Sequence, residues 1–221
     1  MTNEDIFRRI DHTLLKAVSS WTEIKTLCEE GLAFKTASVC IPPSYVKPVN
    51  ETFSHILNIC TVIGFPLGYN DSAAKALETE LAIRDGASEI DMVINIGDVK
   101  NGNFPRILDE IRIIRETSEN KILKVIIETC YLTDDDKIRL CEIVTEAGAD
   151  FIKTSTGFGT AGAVMADIEL FKKHIGPNIK IKAAGGIKTR EDLEAFILAG
   201  CDRIGTSSAV ALLAGKSASG Y

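Results

Sequence analysis

One phrase constrains the fold of this chain more than any other feature. It is the end of an amphipathic stretch, then a glycine, then a short apolar run. It occurs as Asp85-Gly-Ala-Ser-Glu-Ile-Asp, Glu146-Ala-Gly-Ala-Asp-Phe-Ile-Lys and Leu198-Ala-Gly-Cys-Asp-Arg-Ile-Gly. Gly86, Gly148 and Gly200 suit the position just past a helix, where φ is often positive. Eight strand candidates follow: Arg9–Thr13, Thr36–Ile41, Ile59–Gly64, Glu89–Asn95, Leu123–Glu128, Asp150–Thr154, Ile179–Ala183 and Asp202–Thr206. Helical periodicity fills the gaps. Ser72–Asp85 sets Ala73, Ala76, Leu77, Ala82 and Ile83 on one face; Phe104–Glu116 and Thr133–Ala147 carry similar apolar stripes. Thr133 and Asp136 have capping-box spacing. Strands alternating with helices imply a parallel sheet. Eight such units predict an α/β fold, a single-domain (β/α)8 barrel over residues 1–214. Residues 215–221, Gly-Lys-Ser-Ala-Ser-Gly-Tyr, read as a flexible tail. An open doubly wound sheet is the alternative, weakened because no G-x-G-x-x-G turn follows the first strand.

Charge and composition exclude several roles. The net charge is −6 and the basic residues are scattered, so no nucleic-acid footprint is present. No apolar run is long enough to span a membrane. The first residues, Met1-Thr-Asn-Glu-Asp, are polar and acidic, unlike an export signal. The six cysteines form no C-x-x-C pair and lie mostly in apolar runs, as reduced thiols of a cytoplasmic protein would. His12, His55 and His174 show no metal-ligand spacing, so no metal is expected.

The chemistry lies at the strand ends. Lys153, in Phe-Ile-Lys-Thr-Ser-Thr-Gly, and Lys182, in Ile-Lys-Ala-Ala-Gly-Gly-Ile, each close an apolar strand. An unpaired ammonium there costs several kcal/mol and tends to lose its proton. A second ammonium ~5 Å away at an effective dielectric of ~20 costs ~3.3 kcal/mol. That lowers a lysine pKa by ~2.4, which leaves more of the nucleophilic amine needed for a Schiff base. Alternation along Glu89-Ile-Asp-Met-Val-Ile-Asn puts Glu89, Asp91, Val93 and Asn95 on one face, with Asp91 inward. Asp91 is suited to hold the second lysine charged and to handle protons. Lys180 shares a face with Lys182, and Glu89 is a candidate partner for Lys180 lower in the barrel. Gly185 and Gly186 end strand seven, and Gly205, Ser207 and Ser208 end strand eight, the usual phosphate loops of such a barrel. Thr156 and Gly157 follow strand six on a third side.

These residues resemble the deoxyribose-phosphate aldolase family of class I aldolases. The resemblance runs through Ile10-Asp-His-Thr-Leu-Leu-Lys16, Ala37-Ser-Val-Cys-Ile41, Val62-Ile-Gly-Phe-Pro-Leu-Gly68, Glu89-Ile-Asp-Met-Val-Ile-Asn95 and Lys124-Val-Ile-Ile-Glu-Thr129. It continues through Phe151-Ile-Lys-Thr-Ser-Thr-Gly-Phe158, Lys182-Ala-Ala-Gly-Gly-Ile187 and Arg203-Ile-Gly-Thr-Ser-Ser208. It implies cleavage of 2-deoxy-D-ribose 5-phosphate to glyceraldehyde 3-phosphate and acetaldehyde without a cofactor. It implies Lys153 as the Schiff-base lysine and Lys182 with Asp91 as proton-transfer partners. It places Asp11, Leu15 and Cys40 at the substrate pocket and Gly157, Gly185, Gly186, Gly205, Ser207 and Ser208 at the phosphate. Some members carry a lysine where this chain has Phe158, so a positive contact is missing there. The resemblance also implies a role for the terminal Tyr221 in enamine protonation, and a homodimer. The residues leave open another Schiff-base barrel, such as a transaldolase, and a phosphosugar-binding barrel without chemistry.

Overall fold

The computed structural model describes residues 1–54 and 56–214. The expected tail, with Tyr221, lies outside them. In chain order the described elements are α1 (Asn3–Phe7), β1 (Ile10–Thr13), α2 (Trp21–Phe34), β2 (Ser38–Ile41), α3 (Val46–Thr52) and β3 (Ile59–Ile63). They continue with α4 (Ser72–Arg84), β4 (Glu89–Val93), α5 (Ile96–Lys100), α6 (Phe104–Ser118), β5 (Ile122–Ile126) and α7 (Asp134–Glu146). The last are β6 (Phe151–Lys153), α8 (Met165–His174), β7 (Lys180–Ala184), α9 (Arg190–Ala199), β8 (Arg203–Thr206) and α10 (Ala209–Leu213). All eight strands are parallel and pair in chain order, and β8 closes the barrel on β1. The open-sheet alternative is therefore set aside. Each expected strand forms, with ends moved by a residue or two. Asn95 falls beyond β4, where its side chain caps α5.

Alternation sorts each strand into two environments. Ile10, Val39, Ile59, Ile90, Met92, Leu123, Val125, Ile152, Ile181 and Ile204 are buried in one large apolar cluster with residues of the surrounding helices. The intervening positions point into the barrel and carry the charge: Asp11, Glu89, Asp91, Lys124, Lys153, Lys182 and Arg203. Helix ends obey the local chemistry read from sequence. Thr133 and Asp136 form the reciprocal capping box at α7, with bonds of 3.0 and 3.2 Å. Gly86, Gly148 and Gly200 all adopt positive φ. Those glycines let the chain turn from helix into strand without a Cβ clash.

Helix α4 turns Ala76, Ala82 and Ile83 to the core as expected but departs from its apolar reading at Leu77. Leu77 is 56% exposed, whereas Lys75, Thr79 and Ala82 face inward. The reason is the Lys75 ammonium. It donates to Gly68 O (2.6 Å), Val93 O (2.8 Å) and Glu110 Oε1 (2.6 Å), joining the β3 loop, β4 and α6. Burial pushes the Lys75 pKa down and the Glu110 pKa up, and each charge opposes the shift of the other. Lys75→Met would leave Glu110 buried with the Asn95 N–H but without its cation, and the protein is expected to lose about 3–5 kcal/mol of stability. The double variant Lys75→Met/Glu110→Gln removes both charges and should recover part of that loss. Urea denaturation of the three proteins measures both effects.

Candidate active site

Asp91 is the centre of the barrel. Its carboxylate is fully buried, and three lysines from successive strands reach it. Lys124 Nζ, from β5, lies 2.8 Å from Oδ1. Lys153 Nζ, from β6, and Lys182 Nζ, from β7, each lie 2.7 Å from Oδ2. Cys60 Sγ, from β3, approaches Oδ1 at 3.2 Å. A second layer closes the network. Asp11 Oδ2 is 2.5 Å from Lys182 Nζ. Glu89 binds Lys124 at 2.6 Å and Arg203 at 2.8 Å, and Arg203 also pairs with Asp11. Register produces this grouping: Asp91 is level with Lys124, and Lys153 with Lys182.

The charges set one another. Burial alone would raise the Asp91 carboxyl, but Lys124, Lys153 and Lys182 outweigh it and hold it well below the usual range. Burial likewise opposes ionisation of Asp11, and Lys182, Lys124 and Arg203 overcome it. Lys182 and Lys124 are raised despite burial, Lys182 by Asp11 and Asp91 and Lys124 by Asp91 first. Among the described residues, Cys40, Cys60 and Asp91 bring ligand atoms within 4.8 Å of one another, as do Asp11, Cys60 and Glu89. Ammonium and guanidinium groups already occupy those carboxylates, so the donor set does not suit a divalent cation.

Above the cluster a cavity of about 350 Å³ opens at the C-terminal ends of the strands. Lys153 lies at its floor; Leu15, Thr156, Gly157, Gly185, Gly186, Gly205, Ser207 and Ser208 line it as expected. Gly185 and Gly186 both have φ near +75, at +77 and +75. The loops after β6 and β7 meet backbone to backbone, because a Cβ on Gly162 would fall 2.3 Å from the Gly185 carbonyl carbon. Gly205 makes room for Lys182, whose Cε would be 3.1 Å from a Cβ there. Cys40 does not line the cavity; it packs in a small apolar cluster with Leu15, Cys60 and Val62, against Phe65. A larger cavity, of about 620 Å³, opens at the other end of the barrel. It contains Lys180, whose Nζ lies 5.7 Å over the Phe151 ring. The suggested Glu89–Lys180 pair does not form, since Lys124 and Arg203 take the Glu89 carboxylate.

A profile of the DeoC/LacD family of aldolases matches residues 7–214. The chain belongs to this family. A deoxyribose-phosphate aldolase of Clostridium botulinum (strain Alaska E43 / Type E3) is 59% identical over 221 residues, the whole of both chains. The solved structure of QR15, an aldolase, is 37% identical, covers 96% of this chain and 95% of its own, and superposes with a TM-score of 0.91. The deoxyribose phosphate aldolase of Aeropyrum pernix, solved as a tetramer, is 29% identical over 97% of this chain and 92% of its own, with a TM-score of 0.88.

Within this family member, four site residues escaped the sequence reading. Lys124 and Arg203 sit inside strands and meet the same criterion as Lys153, a cation in an apolar run. Glu128 ends the β5 segment with φ +53 and is buried. It accepts the Thr156 N–H (3.1 Å) and hydroxyl, and that hydroxyl accepts from Phe158 N at 3.0 Å. Thr156 is therefore committed to shaping its loop. Lys188, just after Gly185-Gly186-Ile187, lines the cavity and supplies a cation where Phe158 does not. Among the described residues, no helix is long and apolar enough to cross a membrane.

The cluster predicts a pH window. Depressed Asp11 and Asp91 contribute full stability above their unfolded pKa of about 3.9 and lose it as pH falls toward the folded values. Raised Lys124 and Lys182 contribute fully below about 10.4 and lose it as pH rises toward their folded values. Thermal unfolding should therefore show a plateau between about pH 5 and 9, with losses outside it. A midpoint still climbing at pH 10 would contradict the assignment.

Proposed function

We propose that this chain is a class I aldolase that reversibly cleaves 2-deoxy-D-ribose 5-phosphate to D-glyceraldehyde 3-phosphate and acetaldehyde through a Schiff base on Lys153. One observation carries the reading. Lys153 Nζ lies at the floor of the C-terminal cavity, 2.7 Å from a carboxylate oxygen that Lys182 also holds. A phosphosugar-binding barrel has no need of a second and third lysine beneath the sugar.

The steps follow from the placement. Lys153 gives its proton to the Asp91–Lys182 pair, and its lone pair attacks C1 of the open-chain aldehyde. The pair returns that proton to the carbinolamine hydroxyl, which leaves as water and gives a cationic iminium. The same pair, through a water, takes the C3 hydroxyl proton. The C2–C3 electrons move into the iminium, the bond breaks, and glyceraldehyde 3-phosphate leaves. A neutral enamine of acetaldehyde remains on Lys153. Protonation at C2 and hydrolysis release acetaldehyde and free the amine. Proton uptake coincides with loss of the iminium charge, so the buried cluster keeps a constant net charge through bond cleavage. Asp11 steadies Lys182 from the opposite side. Leu15 supplies the apolar wall of the cavity, with Cys40 packed behind it. Gly157, Gly185, Gly186, Gly205, Ser207 and Ser208 receive the phosphate with backbone N–H and hydroxyl donors. The resemblance assigns Tyr221 to enamine protonation. A cytoplasmic setting is supported by six unpaired thiols, five of them buried.

Borohydride reduction with the substrate should leave a two- or five-carbon adduct on Lys153, located by peptide mass spectrometry and absent from Lys153→Arg. An adduct on Lys182 would reassign the nucleophile, and no adduct on folded, substrate-binding protein would favour binding without chemistry. In the same assay, a chain lacking Tyr221 should incorporate solvent deuterium into acetaldehyde more slowly. The resemblance further supports a homodimer. Light scattering should then give twice the 24.0 kDa chain mass; a 24.0 kDa particle would refute it.

A further inference from the structure

We propose that Lys124 is a positioning residue for the aldol reaction: it fixes Asp91 through one oxygen so that the other alone serves Lys153 and Lys182. The inference rests on the aldolase reading above. It begins from the unequal surroundings of the two Asp91 oxygens. Oδ1 faces away from the cavity toward Lys124 Nζ (2.8 Å) and Cys60 Sγ (3.2 Å). Oδ2 meets the two lysines of the proposed chemistry, each at 2.7 Å. Lys124 is itself completely buried and does not line the cavity, so it has no route to substrate. Its ammonium is held on three sides, by Glu89 Oε2 at 2.6 Å, Asp91 Oδ1 at 2.8 Å and Asp11 Oδ2 at 3.5 Å. A group so fixed leaves Asp91 one orientation.

The purpose is chemical as well as geometric. A carboxylate free to rotate would present either oxygen to Lys153 and Lys182 and would lose the alignment that proton transfer needs. Asp91 must also return to its ionised form each time it has relayed a proton. The groups facing it are Asp11 from β1, Cys40 from β2, Cys60 from β3, Lys124 from β5, Lys153 from β6 and Lys182 from β7. Glu89 lies on its own strand, and Arg203 from β8 reaches the cluster through Asp11 and Glu89. Of the three cations on Asp91, Lys153 is consumed by imine formation and Lys182 exchanges protons. Lys124 alone keeps its charge throughout the cycle. Its fixed charge, 2.8 Å from Oδ1, favours the return of Asp91 to the anion after each transfer.

Lys124→Met preserves chain length and removes the charge. Because it leaves Glu89 with one fewer partner, Lys124→Met/Glu89→Gln serves as the second variant. Circular dichroism establishes folding. Then kcat and KM for 2-deoxyribose 5-phosphate are measured on the full chain from pH 4 to 9, beside the unaltered protein. We expect kcat to fall about 100-fold, with KM changing less than about threefold because the phosphate loops are untouched. The acid limb of the kcat profile should move up by about one pH unit as Asp91 loses a neighbouring cation. Both variants should show that displacement. A folded variant with an unmoved acid limb, or one whose loss lies in KM, would overturn the proposal. Failure of both variants to fold would also overturn it, by making Lys124 a framework ion. An unaltered protein that neither turns over nor traps on Lys153 would sink the aldolase reading itself, and this inference with it.

Discussion

Everything in the barrel interior is arranged around one carboxylate shared by three ammonium groups. Burying ions costs several kcal/mol each, and only close pairing with full hydrogen bonding offsets that cost. The arrangement therefore demands accuracy. Asp91 is useful only if Lys124 meets it from its own level and Lys153 and Lys182 reach it from the level above, and those lysines are tolerable only if Asp11 and Glu89 answer them from β1 and β4. Outside the barrel, the same strands present isoleucine and valine to the helices. The outer face supplies the apolar core, and the inner face holds the paired charges.

The network has a charge count that suits its task. Asp11, Glu89 and Asp91 stand against Lys124, Lys153, Lys182 and Arg203. When all are ionised the cluster carries one excess positive charge. That excess disappears when Lys153 exists as a neutral amine. Of the four cations in the cluster, Lys153 is the one that lines the cavity above it.

Much of this was legible in the sequence. The glycine punctuation gave the period, alternation gave the inward face of β4, and strand-end position singled out Lys153 and Lys182. Errors arose where a residue's partner is remote in the chain. The burial of Lys75 has no mark in its own stretch, because Glu110 and the carbonyls that satisfy it belong to other elements. Glu89 was matched to Lys180 by face alone, but Lys180 lies at the opposite opening, and Arg203 and Lys124 are nearer. Lys124 was overlooked although it breaks an apolar strand as Lys153 does, because attention rested on strand ends. Thr156 and Gly157 line the cavity as expected, and the hold of Glu128 on Thr156 is the part that strand-six residues alone do not reveal.

The seam between β1 and β8 has a consequence for how the chain reaches this state. Asp11 and Arg203 are 192 residues apart in sequence and meet only when the last strand docks. Until then Asp11 lacks one of its cations and Glu89 lacks its guanidinium, so the interior remains unbalanced. Contacts of such long separation form late and slowly. A partly synthesised chain, however complete its outer apolar layer, would hold an uncompensated interior that water must continue to solvate. Closure of the final strand is then also the step that dries the centre, and assembly of the active site becomes a report that the whole chain is present.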